Sequence, residues 1–414
     1  MRLSPIGPDG QARLAAAPDI GIEPPMLGLL SPETTPLLPA ALDLHRRAPS
    51  ANVLTLLVPP AAPPDISMRK DGPVVAFIAS GPWTVGMTAW EEALPAELCY
   101  RAVACVLSAA HEPIELNIVH RPVAARIAPT GRGISVEAIV PHRGSDDHLR
   151  VALAGLARQT LRCRTILCFD QPPDPDLCQA LAREEGLDLF EVTPNPAGPY
   201  VARQHFTNLS TAHFLAFQDS DDFSLPSRVE ELVAGAESQG ADLAGCHELQ
   251  CNELTRTVEA IRYPLDVNEA LRSASGAAQL FPTTVARVDT LRRIGGFSTI
   301  RTFGADKQFH LRAYWNARMI NLDSFLYVRR IRENSLTTSP ETGMQSAVRQ
   351  EITRAWKQAF QDVKDGLVTL AESALRIEHG RTDYLIRDLR TGEARPAMLR
   401  MGGGDPDNRP IAER

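Results

Sequence analysis

Three carboxylates stand within four residues, at Asp219, Asp221 and Asp222, where the strand-like run 213–218 ends. A short apolar run predicts a buried β-strand, so the acids are expected on the rim of a sheet. Carboxylates this close repel one another unless a cation lies among them, and their oxygens suit Mg²⁺ or Mn²⁺ that holds a phosphate. The alternative is a solvated acidic turn that caps a helix beginning near Pro226.

Strands and helices alternate along the residues before this turn. The predicted strands are residues 136–140, 164–169, 187–192 and 213–218, and the predicted helices are residues 149–159, 175–185 and 200–209. This alternation implies right-handed crossovers and a mainly parallel sheet flanked by helices, which is an α/β fold. Ligands bind such sheets at the carboxyl ends of the strands, where Asp170 closes the second strand and Asp219 follows the fourth.

Residues 1–64 contain thirteen of the 33 prolines, a density that works against continuous helix or sheet. We expect this Pro-rich segment to lie over another surface or to be partly disordered, with one strand at residues 53–58. Residues 65–130 predict a small β-rich accessory domain, either a scaffold or a module that binds carbohydrate or a partner. Its predicted strands are residues 74–78, 100–107 and 114–119, and residues 129–133 are the predicted linker.

Beyond residue 340, apolar residues recur at intervals of three and four positions from Val348 to Leu367. This spacing predicts an amphipathic helical extension within residues 340–380, which packs on the preceding domain or serves dimerisation or a membrane surface. Residues 381–414 form a polar tail that we expect to be disordered.

Composition limits the class of protein. The 414 residues are 44% apolar and 22% charged with a net charge of −7, which predicts a globular chain and argues against nucleic-acid binding. Seven cysteines without regular spacing predict free thiols in a reducing compartment. No apolar run reaches the roughly 20 residues of a membrane span, and no secretory signal is evident. The expected location is cytoplasmic, with peripheral contact at the inner face of the membrane left open.

Taken in order, the motifs of residues 134–338 resemble glycosyltransferase family 2, whose members have the nucleotide-diphospho-sugar GT-A fold. The matching set is Val140-Pro141, Gln159-Thr160, Asp170, Gly198 with Ala202-Arg203, Phe217 to Asp222 with Pro226, Leu291 to Phe297, Gly304 to Asp306 with Phe309 and Arg312, and Arg329 to Thr337. The resemblance implies a Rossmann-like GT-A domain, to which the N-terminal β-rich domain and the C-terminal helix are additions.

The resemblance implies an inverting transfer of a sugar from a UDP- or GDP-sugar to a glycan or a lipid-linked glycan. It makes Asp221 the direct metal ligand and places Asp219 at the ribose or at a metal-bound water. The implied cofactor is Mn²⁺ or Mg²⁺, which neutralises the leaving diphosphate. Asp306 stands at the position of the general base. Its alternative role is the N-cap of a helix over residues 307–316.

Three further residues are expected at the donor by the same resemblance. Pro141 lies in the first nucleotide-binding loop, and Asp170 aligns with the acid that contacts the nucleotide base. Arg203 either reaches the nucleotide or ties Asp170 and Asp219 in place by a structural salt bridge.

Arg329, Arg330 and Arg332 form a basic cluster that either closes over the diphosphate or is a solvated surface. Arg332 also stands where the family frequently has histidine. Gly144 replaces a usual asparagine and Ala305 a common glutamate. These departures leave a second hypothesis open, in which the chain is a catalytically inactive relative that binds a nucleotide sugar or a glycan.

Overall fold

A computed structural model describes residues 12–14, 27–30, 33–48, 52–80, 95–108, 114–121, 133–273 and 277–400. The predicted linker, apart from Gly133, and the predicted tail from residue 401 onward lie outside these ranges. None of the helices within them combines the length and the apolar character that crossing a lipid bilayer requires.

Within the described ranges the chain forms two sheets with helices packed on them. The strands are β1 Ala12–Leu14, β2 Leu27–Leu30, β3 Val53–Leu57, β4 Arg69–Pro73, β5 Ala76–Ser80, β6 Glu115–Val119, β7 Val136–His142, β8 Arg164–Phe169, β9 Leu187–Thr193, β10 Phe214–Phe217, β11 Phe223–Ser224, β12 Leu243–Asn252, β13 Thr257–Arg262, β14 Val285–Arg287, β15 Met319–Ile331, β16 Leu385–Asp388 and β17 Ala394–Pro396. The α-helices are α1 Leu38–Arg47, α2 Pro95–Ser108, α3 Asp146–Ala157, α4 Pro175–Leu181, α5 Pro199–Leu209, α6 Arg228–Gln239, α7 Val267–Ser273, α8 Val288–Arg293, α9 Ala305–Ala313 and α10 Ala347–Lys364.

The larger sheet is built on four parallel strands in the order β10-β7-β8-β9. Helices α3, α4 and α5 connect successive strands, as the alternation in the sequence predicts. These strands are buried on both faces. In β10, Leu215 and Phe217 lie in one apolar cluster while Phe214 and Ala216 lie in another. The predicted α/β class is confirmed, and the three acids follow the carboxyl end of β10.

Other strands extend this parallel core to a sheet of 12 strands. On one side β14 pairs antiparallel with both β10 and β12, and β12 pairs parallel with β15. On the other side β16 pairs antiparallel with β9. Strand β4, from the N-terminal part of the chain, pairs antiparallel with β13. Strands from before and after the parallel core therefore both contribute to the sheet that carries the acidic turn.

The N-terminal residues form a second sheet in the order β1-β2-β5-β3-β6. The prediction of a strand at residues 100–107 is wrong, because these residues belong to α2. Leu98, Ala102 and Val106 recur at every fourth position and are buried, which is the spacing of a helix face. The N-terminal unit is therefore a sheet with helices packed on it.

The Pro-rich segment is more regular than predicted. The strand expected at residues 53–58 is confirmed by β3, but the expectation of little other structure is wrong for residues 38–47, which form α1. Pro39 lies in the first turn of this helix, where the missing N–H would have had no intrahelical partner. The division of the chain into domains stays a prediction.

Helix α2 and strand β4 attach the N-terminal unit to the larger sheet. Val103 on α2 lies in one apolar cluster with Leu249 of β12. Where β4 meets β13, the fully buried Arg262 donates to Asp71 at 2.5 Å and to the carbonyl of Pro59 at 2.9 Å. Removing one partner of such a pair leaves a buried charge, so the pair fixes one geometry at this junction.

The C-terminal part of the chain contains the predicted amphipathic helix, α10, on which Trp356 and Phe360 are buried. The predicted disorder is wrong for residues 381–400, because β16 pairs with β9 and β17 pairs with β16. Ile386 is buried while Leu385 and Arg387 are exposed, the alternation of a strand with one covered face. Because Ile386 is the one apolar residue of β16 that faces the core, the sequence around it gives little indication of a strand.

Candidate active site

The loops after β7 and β10 meet at the carboxyl edge of the parallel strands. His142, the last residue of β7, hydrogen-bonds through Nδ1 to Ser220 Oγ at 2.9 Å and through Nε2 to Asp146 at 3.2 Å. The structure thus brings the first predicted nucleotide-binding loop into contact with the acidic turn. Pro141 lies beside His142, within β7.

Asp170 follows β8 and is buried. Its two carboxylate oxygens accept hydrogen bonds from the backbone N–H groups of Ala197 at 2.5 Å and Gly198 at 2.8 Å. Burial raises the pKa of Asp170, and these two donors oppose that rise. Asp170 therefore holds the loop that leads into α5, and its contact with a nucleotide base stays a prediction.

Gly198 marks the start of α5 and has a backbone that only glycine adopts easily. Its φ is +83°, and a Cβ there would lie 2.9 Å from Thr302. The close approach places the loop before α9 directly against the N-terminus of α5.

Asp219 is held by Arg203 from α5. Nη2 of Arg203 donates to Oδ1 of Asp219 at 2.6 Å, and the guanidinium carbon of Arg203 lies 5.6 Å from the centre of the Tyr200 ring. Burial raises the pKa of Asp219, and the charge of Arg203 opposes that rise. Of the two roles predicted for Arg203, the structure shows the tie to Asp219 and none to Asp170.

Asp221 pairs with Arg332, whose Nε donates to Oδ2 at 2.9 Å. The same guanidinium lies over Gly144, since a Cβ at that glycine would be 3.5 Å from Nη2 of Arg332. Arg332 thereby spans the gap between the first loop and the acidic turn. Arg332 is thus bound to Asp221, and the sequence predicts both residues at the donor.

Asp222 has a different role from its neighbours, because it is buried and both of its oxygens are occupied. Oδ2 accepts from the hydroxyl of Tyr327 at 2.9 Å and Oδ1 from the backbone N–H of Arg330 at 2.8 Å. Burial, followed by the charges of Asp221 and Asp219, raises its pKa well above the usual value. Asp222 anchors the turn to β15.

The other two arginines of the basic cluster also contact acids. Arg330 donates to the side chain of Glu253 at 2.6 Å and to the backbone carbonyls of Asp221 and Leu107, each at 3.1 Å. Leu107 is in α2, so Arg330 connects the N-terminal unit to the acidic turn. Arg329 lies 3.9 Å from the buried Glu248. Burial works against its charge, but Glu248 and Asp222 raise the pKa of Arg329.

Asp306 lies in the first turn of α9 and is not its N-cap. The N-cap is Gly304, with a left-handed backbone at φ +79°, so the capping alternative for Asp306 is wrong. Oδ1 of Asp306 accepts from the hydroxyl of Tyr200 at 3.0 Å, and Oδ2 accepts no hydrogen bond from the described residues. Its charge contributes to the raised pKa of Asp219, which places the two acids in one electrostatic site.

Whether a cation can bind at the turn depends on the carboxylate oxygens of Asp219 and Asp221 that accept no hydrogen bond from the protein. Asp219 uses Oδ1 for Arg203 and Asp221 uses Oδ2 for Arg332, while the second oxygen of each accepts no hydrogen bond within the described ranges. In the same ranges, no group of three or more His, Cys, Asp or Glu side chains is placed to hold a metal ion. Mg²⁺ is often bound by one or two carboxylates together with substrate phosphates. The two acids do not form a complete metal site by themselves, and a cation bound to them would need further oxygen ligands such as those of a diphosphate.

Sequence reasoning missed Tyr200 and Tyr327, the two tyrosines that donate to acids of the site. A signal for Tyr200 existed, because it precedes Arg203 by three positions in a predicted helix and must share its face. Tyr327 had no such signal, since its contact with Asp222 depends on how β15 packs beside the turn.

Comparisons with known proteins find similarity in the region that contains the acidic turn. Residues 137–287 match the family described as Glycosyl transferase family 2. No curated protein matches the chain. Among solved structures, S. aureus TarS residues 1–349 in complex with UDP-GlcNAc is similar with 19% identity and a TM-score of 0.43, over 56% of this chain and 75% of that chain. A second S. aureus TarS structure is similar with 17% identity and a TM-score of 0.41, over 55% of this chain and 44% of that chain. Similarity at this level carries no conclusion about the ligands of this chain.

Proposed function

Since the chain carries a glycosyltransferase family 2 domain and is a glycosyltransferase, we propose that it transfers a sugar with inversion from a nucleoside-diphosphate sugar to a hydroxyl acceptor. The observation that supports this is the pairing of two kinds of acid at one edge of the sheet. Asp219 and Asp221 each keep one oxygen for a ligand, and Asp306 keeps Oδ2 at the start of α9.

The acidic turn is the proposed donor site, with a UDP- or GDP-sugar as the donor. The free oxygens of Asp219 and Asp221 would hold Mn²⁺ or Mg²⁺ together with the diphosphate, where the cation supplies charge neutralisation of the leaving group. Arg332 stands beside Asp221 with a guanidinium that matches phosphate oxygens. Two further residues complete the proposed nucleotide side of the site. Pro141 borders the first loop, and Asp170 holds the loop that leads into α5.

Asp306 is the proposed general base. The acceptor oxygen attacks the anomeric carbon while the bond to the diphosphate breaks, and the acceptor proton passes to Oδ2 of Asp306.

The proposed acceptor class is a glycan or a lipid-linked glycan. The guanidinium of Arg349 lies 5.1 Å from the centre of the ring of Phe303, which precedes the proposed base by three positions, and it contacts Sδ of Met344 at 3.2 Å. Met344 and Val348 are exposed large apolar side chains. These exposed apolar side chains support an acceptor that carries an apolar part, and a cytoplasmic site at a membrane face stays a prediction.

The replacement Asp306→Asn tests the base. We expect donor binding to stay within about twofold and transfer to fall by about 10²- to 10⁴-fold, the usual contribution of a general base. The measurement is release of UDP or GDP from a panel of UDP- and GDP-sugars, with water and then simple methyl glycosides as acceptors. Asp289→Asn, an exposed acid on α8, is the matched control and should leave transfer unchanged. Transfer by Asp306→Asn at the parent rate would remove Asp306 from the mechanism.

One observation favours the second hypothesis, a relative that binds the donor without turnover. Both candidate metal ligands already pair with arginines, Asp219 with Arg203 and Asp221 with Arg332. Arginine charges at these positions can neutralise a diphosphate without a cation. Metal-dependent donor binding that gives no product with any acceptor would favour this hypothesis.

A further inference from the structure

We propose that Tyr200 is a positioning residue for the base, acting through Asp306, an inference that rests on the proposed function. The hydroxyl of Tyr200 donates to Oδ1 of Asp306 at 3.0 Å. With Oδ1 held by the protein, Oδ2 is the oxygen left to take the acceptor proton. The hydrogen bond thus decides which oxygen faces the acceptor and how the carboxylate is turned.

The tyrosine ring is buried and packed against two other side chains, which restricts the position of its hydroxyl. Only 5% of the residue is exposed. The ring stacks on Phe297, with centroids 6.4 Å apart and an interplanar angle of 28°. The guanidinium carbon of Arg203, which is also on α5, lies 5.6 Å from the centre of the Tyr200 ring. A donor with one rotamer orients its acceptor at little entropic cost.

Tyr200 and Arg203 are three positions apart on α5, so they lie on the same face of the helix. Arg203 holds Asp219 at 2.6 Å, while Tyr200 holds Asp306 at 3.0 Å. One helix face therefore sets the position of the proposed donor acid and of the proposed base relative to each other. This arrangement explains why a buried tyrosine stands directly after the loop that Asp170 holds.

The other charged groups that face Asp306 do not replace this role. From α9, His310 has a pKa lowered to about 4 by burial, and Lys307 has a pKa lowered to about 8 by burial and by Lys357 of α10. His310 is therefore neutral and Lys307 charged around neutral pH. From the acidic turn, Asp219 faces Asp306 as a like charge. The Tyr200 hydroxyl donates a hydrogen bond to the carboxylate.

Tyr200→Phe is the direct test, because it keeps the ring and removes only the hydroxyl. The carboxylate loses a donor that favours its charged form, so the acidic limb of the pH profile of kcat/KM should move up by about one pH unit. At pH values below this acidic limb, kcat of Tyr200→Phe should be about tenfold lower than that of the parent, with KM for the donor unchanged. Tyr314→Phe, at the end of α9 and away from the acids, is the matched control and should keep the parent profile.

An unchanged profile and an unchanged kcat in Tyr200→Phe would overturn the inference. The proposed function is judged separately: if Asp306→Asn abolishes transfer while Tyr200→Phe behaves like the parent, Asp306 stays the base and only the role of Tyr200 fails.

Should Tyr200→Phe not fold, 3-fluorotyrosine at position 200 keeps the packing and strengthens the donor, and it should move the acidic limb to lower pH. A limb that does not move would again contradict the inference.

A measurement without turnover covers the case in which no tested donor reacts. In a double-mutant cycle on urea unfolding, Tyr200→Phe and Asp306→Ala should be non-additive, because both remove the same hydrogen bond. Additive effects within error would overturn the contact on which the inference depends.

Discussion

At the scale of single residues, the acids of the site fall into two groups according to what occupies their oxygens. Asp170 and Asp222 accept protein hydrogen bonds at both oxygens. Asp219, Asp221 and Asp306 accept a side-chain donor at one oxygen each. The first group holds loops in place, and the second group has capacity for a ligand. The sequence predicts Asp170 and the three acids of the turn at one edge of the sheet, and the family resemblance adds Asp306. It does not predict this division, because the division depends on which donors reach each carboxylate.

Asp170→Asn tests the holding role. Asparagine can accept from one of the two backbone donors, but its NH₂ group faces the other, so we expect a loss of about 1–3 kcal/mol in the free energy of unfolding. Asp174→Asn is the matched control, since Asp174 accepts the backbone N–H of Leu177 as the N-cap of α4 and asparagine caps equally well. Urea unfolding of the two variants checks this. Equal stabilities would show that the contacts of Asp170 do not hold the loop.

At the scale of elements, α5 connects most parts of the site. Its N-terminus receives the loop held by Asp170, its inner face carries Tyr200 and Arg203, and it also contacts the C-terminal end of the described chain. Nδ1 of His205 accepts the backbone N–H of Met398 at 2.9 Å. The position of α5 therefore depends on residues nearly 200 positions away in sequence.

His205 gives this contact a pH dependence. Burial lowers its pKa from 6.5 to about 4, so the unfolded chain takes up the proton first and the folded protein loses stability as the pH falls from 6.5 towards 4. The full effect of one such group is about 3 kcal/mol. His205→Asn keeps an acceptor near the position of Nδ1 and cannot titrate, so its melting temperature should fall less steeply over this pH range. His205→Gln, which misplaces the acceptor, should be less stable at every pH. Parallel curves for the parent and His205→Asn would contradict the prediction.

Elements with strong local patterns were predicted well, and elements that depend on distant contacts were not. Strands β7 to β10 and their helices follow from apolar periodicity within short windows. Helix α2 is missed because residues 100–107 are mainly apolar and short, so they resemble a strand. The buried residues Ala102, Val103, Val106 and Leu107 instead have helical spacing. Strand β16 is polar apart from Leu385 and Ile386 and forms only because β9 offers an edge.

At the scale of the whole molecule, the N-terminal and C-terminal parts of the chain both add strands to the larger sheet. Strand β4 joins β13, where Arg262 is buried against Asp71, and β16 joins β9. Arg330 connects the carbonyl of Leu107 in α2 to the backbone of Asp221. The N-terminal unit thus touches the acidic turn through one side chain. A role as scaffold for the donor site agrees with this contact, and binding of carbohydrate by this unit stays a prediction.

The central claim is that the acidic turn holds a nucleotide through a shared cation. The most direct measurement is the melting temperature of the full chain with UDP, GDP and their sugars, each with and without Mn²⁺, since a ligand that binds the folded state raises it. We expect one nucleotide to raise the melting temperature only with metal, Asp221→Asn to abolish the rise, and Glu333→Gln, an exposed acid beside Arg332, to keep it. No rise with any nucleotide, or a rise that survives in Asp221→Asn without metal, would contradict the account.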